Sequence, residues 1–428
     1  MEPLLAARLQ MALTLGFHII FACFGVGLPV LLLVAEGRYL RTRDEGWRTI
    51  ARRWSKSFGV LFAVGAVSGT VLSFELGLLW PDFMGTFGSV IGLPFTMEAF
   101  AFFLEAIFVG IYIYTWDRLP PRAHWLSGFP IAVAGIASAA FVVTANAWMN
   151  CPQGFLQVAG KVVYAEPLRA MLNPASGPQV THMVFAAGLV AGFGVASVYA
   201  AGVLRGKDSP HRRRALALGL AMGAICAPLQ VLSGDWAARV VARTQPVKFA
   251  AMEGQFRTEA RAPLRIGGLP DSEAETTRFA LEIPGGLSWL ACGDPGAVVN
   301  GLDRVPRADR PPVAIVHLAF QAMVGAGVAL LALSGWVGGT LVFRKRLPRG
   351  RAFLWCVALA GPLAAVALEA GWVVTEVGRQ PWIVQGIMRT RDAVTDAPGV
   401  GWVFLVALAI YSALTGATII ALRHLARK

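Results

Sequence analysis

The chain has 428 residues, of which 56% are hydrophobic and only 15% are charged, and its mean hydropathy is +0.59. A water-soluble fold of this length could not bury so much apolar surface, so the composition predicts a polytopic membrane protein. Lys and Arg number 38 against 25 Asp and Glu, which gives a formal net charge of +13. In a membrane protein this excess indicates topology rather than a nucleic-acid partner.

Nine apolar runs are each long enough to cross a bilayer as a helix. They lie near residues 11–35, 57–80, 92–115, 126–148, 180–204, 215–233, 313–343, 352–375 and 400–422. The first run is too long for the apolar part of a cleavable signal peptide. The predicted fold is therefore an all-α integral membrane protein with about nine transmembrane helices, and the odd number places the termini on opposite sides.

Basic residues are concentrated in the loops that follow the odd-numbered helices. Examples are Arg52-Arg53, Arg212-Arg213-Arg214 and Arg344-Lys345-Arg346. Because cytoplasmic loops are enriched in Lys and Arg, we expect these loops in the cytoplasm. The N-terminus is then outside and the C-terminus is cytoplasmic.

One long polar segment, residues 234–312, separates helices 1–6 (residues 1–233) from helices 7–9 (residues 313–428). It contains ten basic and ten acidic residues, so no net positive charge would hold it in the cytoplasm. Long connections in compact proteins are usually functional, and we expect an external loop that gates or binds substrate. The alternative is a mobile connector.

Polar side chains are costly inside membrane helices, so each one is a candidate functional residue. His18 lies within helix 1, His182 opens helix 5 and Met323 lies within helix 7. Imidazole and thioether groups are common axial ligands of low-spin haem, and no CxxCH is present for covalent attachment. A histidine bonded to a backbone carbonyl is the structural alternative, but two histidines with a methionine favour haem.

The other histidines and the cysteines give no ligand pattern. His124, His211 and His424 lie beside arginines in predicted cytoplasmic segments, and we expect them at the surface. His317 lies at the outer mouth of helix 7, where we expect an interfacial residue. The five cysteines show neither zinc spacing nor a disulfide framework.

Two carboxyl groups, Glu98 and Glu105, lie seven residues apart in helix 3. At about 100° per residue they share one face of the helix, about 10 Å apart along its axis. Lys56 begins helix 2 at its cytoplasmic end, so the three residues predict a proton route from the cytoplasm. Metal or haem ligation and a simple bond to a neighbouring helix are the alternatives.

Several segments together resemble a known family. They are Phe17-His18, MEAFAFFLE at 97–105, NAWM at 146–149, Thr181-His182, FQAMVG at 320–325, Gly371-Trp372 and TEVGRQPW at 375–382. Over essentially its whole length the chain resembles subunit I of the cytochrome bd-type quinol oxidases, and its short external loop resembles the cyanide-insensitive-type members. Nine helices with an external loop between helices 6 and 7 is also that family's arrangement.

The resemblance implies three haems. His182 and Met323 match the axial ligands of a low-spin haem b. His18 and Glu376 match ligands of two high-spin haems, one a haem b and the other haem d or a third haem b. Glu98 matches a carboxylate at those haems. The other cofactor-binding residues that the resemblance implies are Trp372, Arg379 and Asn146.

The resemblance also implies the reaction. Lys248 and Glu253 match residues implicated in quinol oxidation, while Gln321 stands where an arginine is common. We expect quinol to be oxidised near the outer surface and O2 to be reduced to water with cytoplasmic protons, without a proton pump. The expected partners are a hydrophobic subunit II, small accessory subunits, quinol, O2 and the lipid bilayer of the bacterial cytoplasmic (inner) membrane, with no nucleic acid.

Two other functions fit part of the sequence. A haem b quinol redox subunit would pass electrons to a partner protein and would contain only low-spin haem. A proton-coupled secondary transporter would use Glu98 and Glu105 and would be colourless, although no inverted repeat is evident. The optical spectrum of the purified protein distinguishes these three possible functions.

Overall fold

The computed structural model describes residues 2–427. Its helices are Pro3–Thr42 (α1), Glu45–Leu79 (α2), Pro81–Tyr114 (α3), Pro121–Asn150 (α4), Pro167–Met171 (α5), Ser176–Leu204 (α6), Pro210–Thr244 (α7), Pro246–Glu253 (α8), Gly286–Cys292 (α9), Val313–Arg344 (α10), Arg351–Val377 (α11) and Val400–Arg427 (α12). All except α5, α8 and α9 are long and apolar enough to cross a membrane. The prediction of nine spanning helices is confirmed for the described residues.

The strands form small antiparallel pairs. They are Phe155–Val158 (β1), Lys161–Ala165 (β2), Glu259–Ala260 (β3), Leu264–Ile266 (β4), Leu269–Asp271 (β5), Thr276–Arg278 (β6), Leu281–Ile283 (β7), Val298–Val299 (β8), Trp382–Val384 (β9) and Met388–Arg389 (β10). β1 pairs with β2, β3 with β8, β4 with β7, β5 with β6 and β9 with β10. Three of these pairs, with α8 and α9, fold the segment between α7 and α10.

Helix ends follow local sequence signals. Proline begins α1, α3, α4 and α7, where its missing N–H breaks no helical hydrogen bond. The side chain of Asp44 caps α2 by accepting from the Gly46 N–H at 2.8 Å. The helices are longer than the apolar runs because polar turns continue them. The predicted sixth helix, 215–233, is corrected in this way: α7 continues to Thr244, and the connecting segment begins at Gln245.

The bundle is closely packed around α1, which contacts α2, α4, α6 and α12. The contact of α6 with α7 depends on glycine, since a Cβ on Gly192 would lie only 2.5 Å from the Gly223 nitrogen. Small residues at such crossings are typical of membrane helices, because they let two backbones approach closely. Buried residues of α1, α6, α7, α10 and α11 form one continuous core.

One end of the bundle carries the 245–312 segment, and we call it the loop end; the opposite end is the far end. The helices alternate in direction, so α4, α7 and α11 end here while α1 and α10 begin here. Arg8 of α1 donates to the Gln380 side chain, just after α11, at 2.8 Å. Lys248 of α8 donates to the Thr375 backbone oxygen at 3.2 Å. These bonds join the segment and the helix ends into one structure.

Candidate functional site

A serine fixes the tautomer of His18. The ring Nδ1 lies 3.0 Å from the Ser68 hydroxyl on α2. That hydroxyl lies within reach of the Val64 and Gly65 backbone oxygens, at 3.0 and 3.1 Å, and its single hydrogen goes to them. The hydroxyl is therefore placed to accept from the ring, and we assign the ring hydrogen to Nδ1 and the lone pair to Nε2. This is the form in which histidine ligates a metal.

His182 on α6 repeats this arrangement. Its Nδ1 lies 3.1 Å from the Ser233 hydroxyl on α7, which donates to the Gln230 backbone oxygen at 3.0 Å. The lone pair is again on Nε2, which faces the Gln230 amide nitrogen at 3.0 Å. A Cβ on Gly234 would lie 3.2 Å from the ring, so this glycine lets the imidazole lie against α7.

Met323 on α10 lies against α11. A Cβ on Gly371 would come within 3.1 Å of the Met323 sulfur, so the glycine makes room for the thioether. The neighbouring Trp372 is partly buried against the main core. Because α7 contacts α10 and α11 contacts α6, His182 and Met323 belong to one group of packed helices. No hydrogen bond joins the two side chains within residues 2–427.

Glu376, at the end of α11, is held by two donors. Its Oε2 accepts from the Arg379 guanidinium at 2.5 Å, and its Oε1 accepts from the Asn146 amide on α4. The Arg379 side chain is only 3% exposed, yet its Nε and Nη1 have no hydrogen-bond partner among residues 2–427. Three predicted cofactor-binding residues thus meet at the loop end, where Asn146 of α4 joins Glu376 and Arg379 from a position 230 residues earlier in the sequence.

The donor atoms fit haem. Imidazole and thioether groups are known axial ligands of haem iron. A carboxylate is an anionic oxygen ligand, like the tyrosine that ligates some haems. A buried guanidinium with unpaired N–H groups suits an anion such as a propionate, because burying unpaired donors is otherwise costly. Arg8, whose buried Nε also has no partner, provides a second such donor at the same end.

The two carboxyls of α3 both face α4. Glu98 Oε1 accepts from the Ser138 hydroxyl at 3.3 Å. Glu105 is 5% exposed, and its Oε1 has no hydrogen-bond partner in the described part of the chain. A Cβ on Gly135 would lie 3.2 Å from that oxygen. The two residues therefore lie on one face, as their spacing requires. Glu105 lies nearer to the far end.

Lys56 is placed differently from these carboxyls. It is exposed on α2. A Cβ on Gly59 would lie 2.7 Å from the end of the Ile113 side chain, so this part of α2 is level with the last turns of α3. Lys56 is therefore nearer to the far end than Glu105. No hydrogen bond or ion pair joins it to another described residue.

Lys248 is a buried cation on α8. Its ammonium donates to the Asn150 side-chain oxygen and to the Thr375 backbone oxygen, the latter at 3.2 Å. Burial, chiefly, and the nearby Arg379 lower the pKa of Lys248 to about 7. The ammonium points from α8 toward α4 and α11, and Glu376 of α11 is one of the charges near it.

Glu253 ends α8 and is 5% exposed. None of the described residues forms a hydrogen bond with its Oε2. Burial raises the pKa of Glu253 to about 7, while the charge of Arg265 opposes the rise. Five residues separate it from Lys248, so the two side chains leave α8 about 140° apart. They share the short helix, but no bond brings them together.

Two side chains of α10 hold the segment in place. His317 is fully buried, and its ring nitrogens lie 2.8 Å from the Met252 oxygen and 3.0 Å from the Gly267 oxygen. One turn later, Gln321 accepts from the Gly267 N–H and donates to the Arg265 oxygen, both at 3.0 Å. His317 lies near the start of α10 at the loop end, as expected, but its side chain is enclosed by the connecting segment. We call this pair the α10 clamp.

His124 was expected at the surface but is 1% exposed. Its Nδ1 bonds the Glu36 carboxylate on α1 at 2.7 Å, and the Tyr112 hydroxyl donates to the same carboxylate at 2.6 Å. The neighbouring arginines indicated a solvent-exposed position. The burial of His124 could not be predicted from them, because its partner Glu36 is 88 positions away in sequence. This buried network joins α1, α3 and α4 near the far end. His211 is partly exposed and His424 is exposed, as expected.

Glu75 on α2 is a buried acid that was not among the predicted site residues. It is 3% exposed and accepts from Gln10 at 2.9 Å and from Thr14 at 2.8 Å, both on α1. Thr14 is one turn before His18, and Ser68 is seven residues before Glu75. A carboxyl inside the second apolar run was a sufficient signal, because such residues are rare in membrane helices.

The arrangement combines two imidazoles with available lone pairs, a thioether and a carboxylate cluster, with a folded polar segment at the loop end. The sequence pattern of the family described as Cytochrome bd terminal oxidase subunit I matches residues 6–428.

Similar proteins cover almost the entire chain. One, from Bacillus subtilis (strain 168), is named provisionally as cytochrome bd menaquinol oxidase subunit I; it is 39% identical over 435 residues, covering 100% of this chain and 97% of that protein. Cytochrome bd ubiquinol oxidase subunit 1 of the same strain is 33% identical over 407 residues, covering 92% and 86%. A chain of the solved bd oxidase from Geobacillus thermodenitrificans superimposes with a TM-score of 0.94 at 39% identity, covering 100% of this chain and 98% of that one.

Proposed function

The chain belongs to the cytochrome bd terminal oxidase subunit I family, and on that premise we propose that it is the haem-binding subunit of a quinol oxidase, in which quinol is oxidised and O2 is reduced to water. The relatives' names include both menaquinol and ubiquinol oxidases. The reaction class is therefore quinol:oxygen oxidoreductase, in a multi-pass membrane protein.

The observation that carries the proposal is the paired serine–histidine geometry. Ser68 and Ser233 are each placed to hold the hydrogen of a partly buried histidine on Nδ1, which leaves Nε2 as a ligand atom. A histidine serving only as a packing residue has no need for a fixed lone pair. Two such histidines on separate helix pairs support two separate haem sites.

We assign the ligands by site. His182 and Met323 hold the low-spin haem b. His18 and Glu376 serve two high-spin haems, a haem b and either haem d or a third haem b, with Glu98 near them. Bound haem iron would supply the electron transfer and the oxygen chemistry. Arg379 offers its unpaired N–H groups to a propionate, Asn146 orients Glu376, and Trp372 packs beside Gly371.

Quinol oxidation is assigned to α8, with Lys248 and Glu253 as its charged side chains. A quinol must lose two protons as it is oxidised, so a base of suitable pKa is needed at its hydroxyl. Glu253 suits this role because its pKa is raised to about 7 and its Oε2 has no partner. The α10 clamp holds the backbone on either side of it.

Protons for oxygen reduction are assigned to a route from the far end through Lys56, Glu105 and Glu98. The positive-inside rule places that end in the cytoplasm, the N-terminus and loop end outside, and the C-terminus inside. Electrons from the outer side and protons from the inner side then separate charge without a pump. The unpaired Glu105 oxygen supports a relay, since a purely structural carboxyl would be bonded on both oxygens.

A subunit I implies a subunit II. We infer a hydrophobic second subunit, small accessory subunits and a bacterial inner-membrane location. Many apolar side chains remain exposed on the spanning helices, among them Phe100 at 73% and Trp402 at 75%. Lipid and further subunits are the environment that such a surface requires.

A reduced-minus-oxidised spectrum of the purified enzyme, with and without carbon monoxide, tests the function. We expect one low-spin signal and high-spin signals, part of which shift with carbon monoxide. Low-spin signals alone would favour the electron-passing redox subunit instead, and a colourless protein would favour the transporter. His182→Ala should remove the low-spin signal, and His18→Ala a high-spin signal.

A further inference from the structure

A chain of hydrogen bonds joins the loop helix α8 to the Glu376 carboxylate. Lys248 donates to the side-chain oxygen of Asn150, the last residue of α4. The Asn150 amide nitrogen donates to Asn146, to its backbone oxygen at 2.9 Å and to its side-chain oxygen at 3.3 Å. The Asn146 amide nitrogen then donates to Glu376 Oε1.

The charges at the two ends fix the orientation of both amides. An ammonium has only donors, so Asn150 must turn its oxygen toward Lys248 and its nitrogen toward Asn146. A carboxylate has only acceptors, so Asn146 must turn its nitrogen toward Glu376. Both amide dipoles therefore point the same way, from cation to anion, and each bond polarises the next.

The Lys248 end of the chain is shielded from solvent, whereas Asn146 and Glu376 are partly buried. Asn150 is 1% exposed and Lys248 is 4% exposed. In such surroundings a charge acts over a longer distance than at a surface, because less water screens it. The other oxygen of Glu376 is occupied by Arg379, which is equally buried. Below about pH 7, where Lys248 keeps its proton, Glu376 thus has one direct cation and one cation connected through two amides.

We propose that Asn150 is a positioning residue of the oxidase, which connects Lys248 on the loop helix to Glu376 through Asn146 and so tunes the cofactor held at Glu376. The inference rests on the proposed function, because Glu376 is assigned there as a haem ligand. It adds a residue to that site and links the quinol-oxidising helix to the oxygen-reducing side of the enzyme.

The electrostatic effect has a definite sign. A positive charge connected to the carboxylate withdraws electron density from it, which favours the reduced cofactor. Breaking the chain should therefore lower the reduction potential of the Glu376 haem. One hydrogen bond typically changes an equilibrium constant by about fivefold, and we expect the reduction equilibrium to fall by about that factor.

The test is a spectroscopic redox titration of the purified holoenzyme carrying Asn150→Leu, in which the bond from Lys248 and the two bonds to Asn146 are lost. The high-spin signal that depends on Glu376, identified beforehand with Glu376→Ala, should shift to lower potential, while the low-spin signal should stay in place as a check of folding. Asn173→Leu is the matched control, since Asn173 is also buried beside a helix end but bonds only the Ala170 oxygen and the Ala175 N–H; it should shift neither signal.

Asn150→Asp is the second variant, in case Asn150→Leu does not fold. Its carboxylate can still bond Lys248 but cannot donate to Asn146, so the shift should have the same sign. Lys248→Met combined with Asn150→Leu should give about the shift of either change alone, because each breaks the same chain. Unshifted potentials in the folded Asn150 variants, or fully additive shifts in the double variant, would overturn the inference. A wild-type enzyme without a Glu376-dependent signal would instead overturn the proposed function.

Discussion

The hydroxyl groups of Ser68 and Ser233 determine which nitrogen of two partly buried histidines holds the hydrogen, and sequence alone does not reveal this. His18 and His182 are conspicuous because histidine is rare in an apolar run. Ser68 and Ser233 are inconspicuous, since serine is common in membrane helices and usually bonds its own backbone. The ligand candidates were therefore predictable, whereas the bonds that orient them required the structure.

Met323→Leu should remove the low-spin haem signal or convert it to a high-spin one, because leucine fills the space beside Gly371 but provides no thioether. The carbon monoxide-binding signal should remain, since it belongs to the other site. Optical spectra of membranes suffice for the measurement. Met183→Leu, next to His182 and partly buried in the same core, is the matched control. A low-spin signal unchanged in Met323→Leu would rule out this ligand.

The pH dependence of quinol oxidation should follow Glu253. Because burial raises its pKa to about 7, its carboxylate becomes available as a base only as the pH rises through that value. The quinol kcat/KM should therefore increase between about pH 6 and 8. In Glu253→Gln the rate should fall by about 100-fold or more and the increase should vanish.

Lys248 requires a separate control in that experiment, because its pKa is also about 7 and it loses its positive charge over the same range. Lys248→Met should retain the rise with pH if Glu253 is the base. A rise that persists in Glu253→Gln but disappears in Lys248→Met would transfer the role to the lysine.

At the scale of elements, the polar segment between α7 and α10 was the least predictable part. Its hydrophobic pattern is weak, so its short strands and α8 were foreseen only as a folded loop. Its boundary was misplaced because α7 continues through polar residues to Thr244. The α10 clamp could not be predicted from the sequence, because His317 and Gln321 contact backbone atoms 50 or more positions away.

His317→Leu should loosen the segment without unfolding the bundle. It would remove the ring from the Met252 and Gly267 oxygens, and because a neutral imidazole donates to only one of them, the cost is about 1–3 kcal/mol. Hydrogen–deuterium exchange should accelerate in residues 246–268 but not in α1, and the quinol KM should rise more than kcat falls. Leu318→Ala, on an exposed part of the same helix, should change neither. Unchanged exchange in His317→Leu would show that the clamp does not hold the loop.

At the scale of the whole molecule, the nine spans followed from hydropathy alone, because a bilayer demands long apolar helices wherever the chain crosses it. Which helices are neighbours could not be predicted in this way, because hydropathy does not show which helix faces pack together. Glu98 and Glu105 were predicted to share a face, and they do, but their common neighbour α4 emerged only from the packing. The same packing separates Glu105 from the Glu36–His124 network.

Glu105→Gln should slow oxygen reduction while leaving haem content normal. Glutamine keeps the size and the hydrogen bonding of the side chain but cannot carry a proton, so the step that delivers protons should become rate-limiting. In liposomes that are supplied with quinol, both turnover and membrane-potential generation should fall together, by a factor of about 100 or more. Quinol-dependent reduction of the low-spin haem should remain fast, because it precedes the proton step.

Glu36→Gln is the matched control, because Glu36 is also a buried carboxyl between α1, α3 and α4. It is fully bonded to His124 and Tyr112, and a layer of buried apolar side chains lies between it and Glu105: Leu28, Leu32, Val109 and Ile131. Such a layer excludes the polar groups that a proton needs, so Glu36→Gln should lower stability and leave turnover near the wild-type value. Equal losses in the two variants would mean that any buried carboxyl here is structural, and full turnover with normal potential in Glu105→Gln would remove Glu105 from the route.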